Sequence, residues 1–153
     1  AGARRRRAGR RVFGAGRGGA CGLSHAPGGP ATRPRAVAVV GTLLTAVAML
    51  GICLGHELIG QAVGARTARL HFGHHGGNHP VLDLDTGRVS MTAQNHEFQV
   101  DAATIPLESG FSISHRNLHD GSVEGLTHAD RPVRSVQFHP EESAGPNGWH
   151  YLL

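Results

Sequence analysis

Residues 51–57 read Gly51-Ile52-Cys53-Leu54-Gly55-His56-Glu57, a cysteine with a glycine two residues to either side. Just upstream, Val47 to Ile52 is a short apolar run of the kind buried on both faces of a parallel sheet. Downstream, Leu54 to Val63 reads as a helix that stops at Gly64. A strand that turns straight into a helix needs glycine at the flanking positions, where any Cβ would collide with neighbouring backbone. Such a turn pushes its central side chain out at the carboxyl edge of the sheet. The helix N-terminus there stabilises an anion, so the thiolate of Cys53 is expected to be favoured. The backbone NH of Leu54 then lies where an oxyanion would form. Against this stands the commoner fate of a lone thiol, which is a buried structural cysteine.

Ahead of the turn, Ala36, Val39, Val40, Leu43 and Leu44 recur at helical spacing, so a helix is expected to precede the strand. The same region admits a second interpretation. Ala36 to Gly55 is twenty residues without a charge, directly after Arg33 and Arg35, and twenty helical residues would just cross a bilayer. Three glycines and two threonines in that stretch favour helix-then-strand within an α/β domain. A membrane anchor would instead partition into detergent.

A thiolate that attacks an amide needs a base, and the base needs an orienting group. His139-Pro140-Glu141 follows an expected strand, Val133 to Phe138. Residues two apart on extended chain point the same way, so Glu141 can hold the His139 ring. Pro140 cannot join a central ladder, which places the pair just beyond the strand, at the edge where parallel sheets carry their sites. Further strands are expected at Val89 to Gln94 and at His115–Leu118 and Ser122–Leu126, flanking the Asp120-Gly121 turn.

Charge divides the 153 residues unevenly. Residues 1–56 hold nine Arg and no acid; residues 57–153 hold six Arg against eleven Asp and Glu, and there is no Lys. A basic arm could bind nucleic acid or an anionic membrane, or act as a transit peptide. The absence of Lys beside 23 Gly reads instead as codon bias, and then the high pI needs no polyanionic partner. Two cysteines exclude a disulfide-rich secreted scaffold, and 39% apolar residues exclude a fully disordered chain.

Taken together, GICLGHE at 51–57, QNHEF at 94–98 and SVQFHPEESAGP at 135–146 resemble the class I (triad) glutamine amidotransferases. FGHHGGNHP at 72–80 and DGSVEGL at 120–126 are similar to the small subunits of glutamine-dependent carbamoyl-phosphate synthases within that family. The resemblance implies an α/β three-layer sandwich, flavodoxin-like, with a mainly parallel central sheet that is here N-terminally incomplete. It implies Cys53 as nucleophile, His139 as general base and acid, and Glu141 as the group that orients His139. Leu54 would supply one backbone oxyanion donor, and Ala26 the other, from a loop that includes Gly28. Position 57 with Asn95, position 97 and Phe98 would line the glutamine pocket.

Three departures from the family pattern bear on activity. Glu57 stands where the family usually has Gln, and Glu97 where it usually has Gly. Residues 23–30, LSHAPGGP, are a worn copy of the family's S-N-G-P-G-D-P loop, with Ala26 in place of a Gly. Glutamine carries both an ammonium and a carboxylate, so an added charge helps hold one end or repels the other. Residues 1–19 show no resemblance and are expected to be an Arg/Gly-rich leader, disordered or artefactual, ahead of a partial domain at 20–153.

By family likeness the reaction is hydrolysis of L-glutamine, with ammonia passed to a large synthetase subunit that uses ATP and bicarbonate. No cofactor or metal is expected on this chain, no nucleic-acid or membrane partner, and a cytoplasmic location. Weak or absent glutaminase activity is expected of the isolated polypeptide. The rival is a non-catalytic remnant that only docks on a partner. His71, His74, His75 and His79 cluster, but without carboxylate or thiolate partners at regular spacing, which argues against a metal site, and the family likeness makes this glycine-rich segment a structural or subunit-contact loop. His96 is expected to be a hydrogen-bonded core residue.

Overall fold

Pro34 occupies the first turn of helix α1 (Pro34–Leu43), where its missing NH costs nothing. In this computed structural model, which describes residues 11–13, 20–23 and 33–142, that helix connects two parallel strands. They are β2 (Ala20–Leu23) and β3 (Ala48–Ile52), paired from Ala20 opposite Ala48 to Leu23 opposite Gly51. Helix α2 (Leu54–Ala62) follows β3 after the single residue Cys53, and Gly64 leaves it with φ +100°. The uncharged stretch 36–55 is thus a helix, a strand and a turn. No helix among the described residues is long and apolar enough to cross a membrane.

Beyond α2 the chain runs as strands β4 (Thr67–Asp83), β5 (Val89–Val100), β6 (Phe111–Asn117), β7 (Val123–His128) and β8 (Val133–Val136). With β1 (Arg11–Phe13) they form one eight-stranded sheet in the order β1-β2-β3-β8-β7-β6-β4-β5. The expected α/β architecture stands, and the sheet is mixed. Parallel pairing joins β2, β3 and β8, while β8, β7, β6, β4 and β5 pair antiparallel, with β6 beside β4 and β5 at the edge. Short connections such as the Asp83–Arg88 turn allow only that sense. Both described helices pack on one face, over Met49, Val123, Leu126 and Val133. The opposite face gathers Leu50, Ile52, Val81, Val136 and Phe138, and no helix among the described residues covers it.

Several elements run differently from their sequence signals. The histidine-rich segment expected as a loop lies inside β4, whose pairing with β5 shifts register between Arg69 and His74 and again between Gly76 and His79. Gly73 (φ +67°) and Gly76 (φ +94°) take up those irregularities, so glycine here marks bulges and not a loop. Strand β5 continues past Gln94 to Val100, and β8 stops at Val136, although Gln137 NH still bonds the Glu124 carbonyl at 2.8 Å. His139 NH then reaches the Ala93 carbonyl at 2.9 Å. That bond closes the far strand β5 back onto the end of β8. Of residues 1–19, only Arg11–Phe13 fall among the described residues, paired antiparallel with β2.

Candidate active site

Cys53 joins β3 to α2 with φ 53° and ψ −110°, the only non-glycine residue with positive φ among the described residues. Such a conformation costs roughly 1–3 kcal/mol and persists only where its surroundings over-determine it. Here Cys53 NH bonds the Val136 carbonyl at 2.9 Å, and the Cys53 carbonyl takes His56 NH at 3.0 Å. The flanking glycines leave no alternative. A Cβ on Gly51 would stand 2.8 Å from the Gly55 carbonyl, and one on Gly55 would overlap the Leu23 carbonyl oxygen. Leu54 heads α2, so its NH is among the amides that have no acceptor within the helix.

The elbow delivers the thiol to the ends of β8 and β5. Cys53 Sγ lies 3.8 Å from the Asn95 carbonyl oxygen, and Gln137 Nε2 lies 4.0 Å from Sγ. Just past β8, His139 is buried with Nδ1 3.2 Å from Glu141 Oε1. Glu141 engages Nδ1, which leaves Nε2 as the nitrogen for the thiol. Hydrogen bonding to Cys53, then to Glu141, outweighs burial and raises His139 to about 10.

Glu57 is buried one turn into α2, where Gln137 Nε2 donates to its Oε1 at 3.2 Å. Burial pushes Glu57 up to about 7, against the opposing hydrogen bond from Gln137. A partly neutral Glu57 approaches the shape and charge of Gln. The folded protein therefore keeps a proton that the unfolded chain releases above its ordinary 4.5, so stability falls as pH rises through that window to about 7. Glu57→Gln is expected to raise the melting temperature at about pH 8 and to leave it unchanged at about pH 4, read by thermal denaturation.

At position 97 the added charge is spoken for. The Glu97 carboxylate bonds Arg69 Nη2 and His75 Nε2, each at 3.2 Å, and Arg69 is the first cause that holds it below the usual range. His75 also meets Asn95 Oδ1 at 3.1 Å, and Phe98 offers its carbonyl to His96 Nδ1 at 2.7 Å. The structure thus brings Cys53, Leu54, Glu57, Asn95, His139 and Glu141 to one edge, with Glu97 and Phe98 next along β5. Ala26 and Gly28 lie outside the described residues.

Sequence reasoning passed over Gln137, which is fully buried and touches both Cys53 and Glu57. The alternation that links His139 to Glu141, taken one step back, would have found it. Glu124 was also missed. It is fully buried on β7 and accepts from Gln94 Nε2 at 2.8 Å and Asn117 Nδ2 at 2.9 Å. The histidine cluster divides. His74 is buried against Asp120 and Glu124, whereas His75 faces Glu97 from an exposed position. His96 is buried, with Nδ1 2.7 Å from the Phe98 carbonyl oxygen and Nε2 2.8 Å from Gln94 Oε1.

Fold and site define a class: α/β proteins that present a cysteine on a strand-to-helix elbow beside a histidine–carboxylate pair. Within that class the chain belongs to the glutamine amidotransferase class-I family, which matches residues 20–153. It is 49% identical over 131 residues to the carbamoyl phosphate synthase small chain of Nitratidesulfovibrio vulgaris, covering 86% of this chain and 34% of that one. The protein of the same description from Akkermansia muciniphila is 50% identical over 131 residues, covering 86% and 35%. The Arabidopsis thaliana relative, described as chloroplastic, is 49% identical over 125 residues, covering 82% and 29%. The chain therefore spans about a third of the length of these curated relatives.

Among solved structures, the fold is shared with a glutamine amidotransferase from Thermotoga maritima. The TM-score is 0.64 at 17% identity, covering 78% of this chain and 56% of that one. A glutamine amidotransferase from Methylobacillus flagellatus also gives 0.64, at 19% identity, covering 80% and 52%.

Proposed function

We propose that this chain is the glutamine-hydrolysing domain of a carbamoyl-phosphate synthase small subunit, working through Cys53, His139 and Glu141. The observation that carries this is the strained Cys53 elbow placed within hydrogen-bonding reach of a His139 that Glu141 holds. Cys53 as thiolate attacks the side-chain amide carbon of glutamine, and the developing oxyanion takes the Leu54 NH. His139, already protonated, gives its proton to the departing ammonia as the tetrahedral intermediate collapses to a thioester. The neutral ring then removes a proton from water, which attacks the thioester and releases glutamate and free thiol. Glu141 keeps the ring oriented through both steps.

Glu57, Asn95, Glu97 and Phe98 are the pocket residues in this scheme, with Gln137 holding Glu57 in place. The relatives' description as small chains supports a large-subunit partner, to which ammonia would pass and on which ATP and bicarbonate would act. Turnover by the isolated chain is expected to fall below that of a complete small subunit. The test is release of glutamate and ammonia from glutamine. The wild-type chain should release both above background, and Cys53→Ser should release neither; equal release by the two proteins would refute the assignment.

A further inference from the structure

Behind the active-site edge, β4, β5 and β7 bring together His74, His96 and Glu124, all three buried. Each offers one ligand atom, and those atoms lie within 4.8 Å of one another. We propose that this trio binds a zinc-class divalent cation that ties the three strands together. His74 Nδ1 and Glu124 Oε1 are 3.4 Å apart, about the separation of two ligands on a tetrahedral zinc with bonds of roughly 2.1 Å.

The surroundings are those of ligands held for a metal. Histidine ligands characteristically donate their second ring NH to a carboxylate or a carbonyl. His74 Nε2 meets Asp120 Oδ2 at 2.8 Å, and His96 Nδ1 meets the Phe98 carbonyl at 2.7 Å. Glu124 is braced by Asn117 Nδ2 and Gln94 Nε2. On metal binding His74 releases its Nδ1 proton to solvent and keeps the Nε2 proton that Asp120 holds.

A second observation is independent of ligand spacing. The Phe98 carbonyl only accepts, so His96 Nδ1 must carry a hydrogen, and in a neutral ring Nε2 is a bare lone pair. That lone pair faces Gln94 Oε1 at 2.8 Å, another acceptor. Turning the Gln94 amide over gives no relief, because its oxygen would then meet the Glu124 carboxylate now served by Nε2. A cation at His96 Nε2 removes the conflict. A bare proton could serve there, but a ligand atom of His74 and one of Glu124 within 4.8 Å offer the further ligands of a metal.

The test is titration of the chelator-stripped chain with Co2+ and then Zn2+. One equivalent of Co2+ is expected, with visible bands of a nitrogen–oxygen site and no thiolate charge-transfer band, displaced by Zn2+. Cys53→Ser should retain it, which separates this site from the thiol, and so should His75→Asn. Glu124→Gln and His74→Asn should each weaken binding at least about tenfold. Absence of binding by the folded wild-type chain at micromolar metal would overturn the proposal. So would binding that survives Glu124→Gln, or imidazole NMR that finds both His96 nitrogens protonated in the presence of one equivalent of Zn2+.

Discussion

Replacing His139 by Asn is expected to lower glutamine hydrolysis by about a thousandfold or more, with little change in KM for glutamine. Two features of the site set the size of the effect. The ring is buried between Cys53 and Glu141, and those two partners raise it to about 10, which in the proposed mechanism makes it the proton donor to ammonia. Amide nitrogen is a poor leaving group unless it is protonated as the C–N bond breaks. Asn can preserve much of the volume at position 139 but can neither give that proton nor take one from water. The loss therefore falls on kcat. Ammonia release under saturating glutamine reads it directly, and a drop of less than about tenfold would remove His139 from the chemistry.

Gly55→Ala is expected to destabilise the fold by about 3 kcal/mol or more. The new Cβ would overlap the Leu23 carbonyl oxygen and crowd Leu23 Cβ at 2.8 Å. Neither side yields easily. Leu23 is held in β2 opposite Gly51, and Gly55 lies in the first turn of α2, whose Ile59 is fully buried beneath the sheet. Relief requires α2 to tilt away, and that would carry Cys53 with it. Gly77→Ala is the control, because a Cβ there meets nothing within 4 Å. Urea denaturation should show a large fall in midpoint for the first variant and almost none for the second.

The elbow was legible because one local constraint, a helix starting at once after a buried strand, dictates glycine at two fixed offsets from Cys53. His139 and Glu141 were legible for a similar reason, since extended chain repeats every two residues. The antiparallel half of the sheet was less so. Its strands β4 and β5 carry polar residues inward, where His74, Gln94 and His96 meet Asn117 and Glu124, and a buried polar cluster erases the apolar alternation that marks a strand. The histidine-rich segment thus read as a loop, and the carboxylate that partners His74 lies fifty residues further along the chain, beyond any spacing rule. The charge at Glu57 was visible, but not that burial would bring it near neutrality against the hydrogen bond from Gln137.

Labelling with a glutamine-mimicking diazoketone bears most directly on the assignment of Cys53 as nucleophile. The folded chain should incorporate one equivalent, mapped by peptide mass spectrometry to Cys53, with protection by excess glutamine and none incorporated after Cys53→Ser. A folded sample that reacts nowhere, or that reacts equally once Cys53 is replaced, would contradict it.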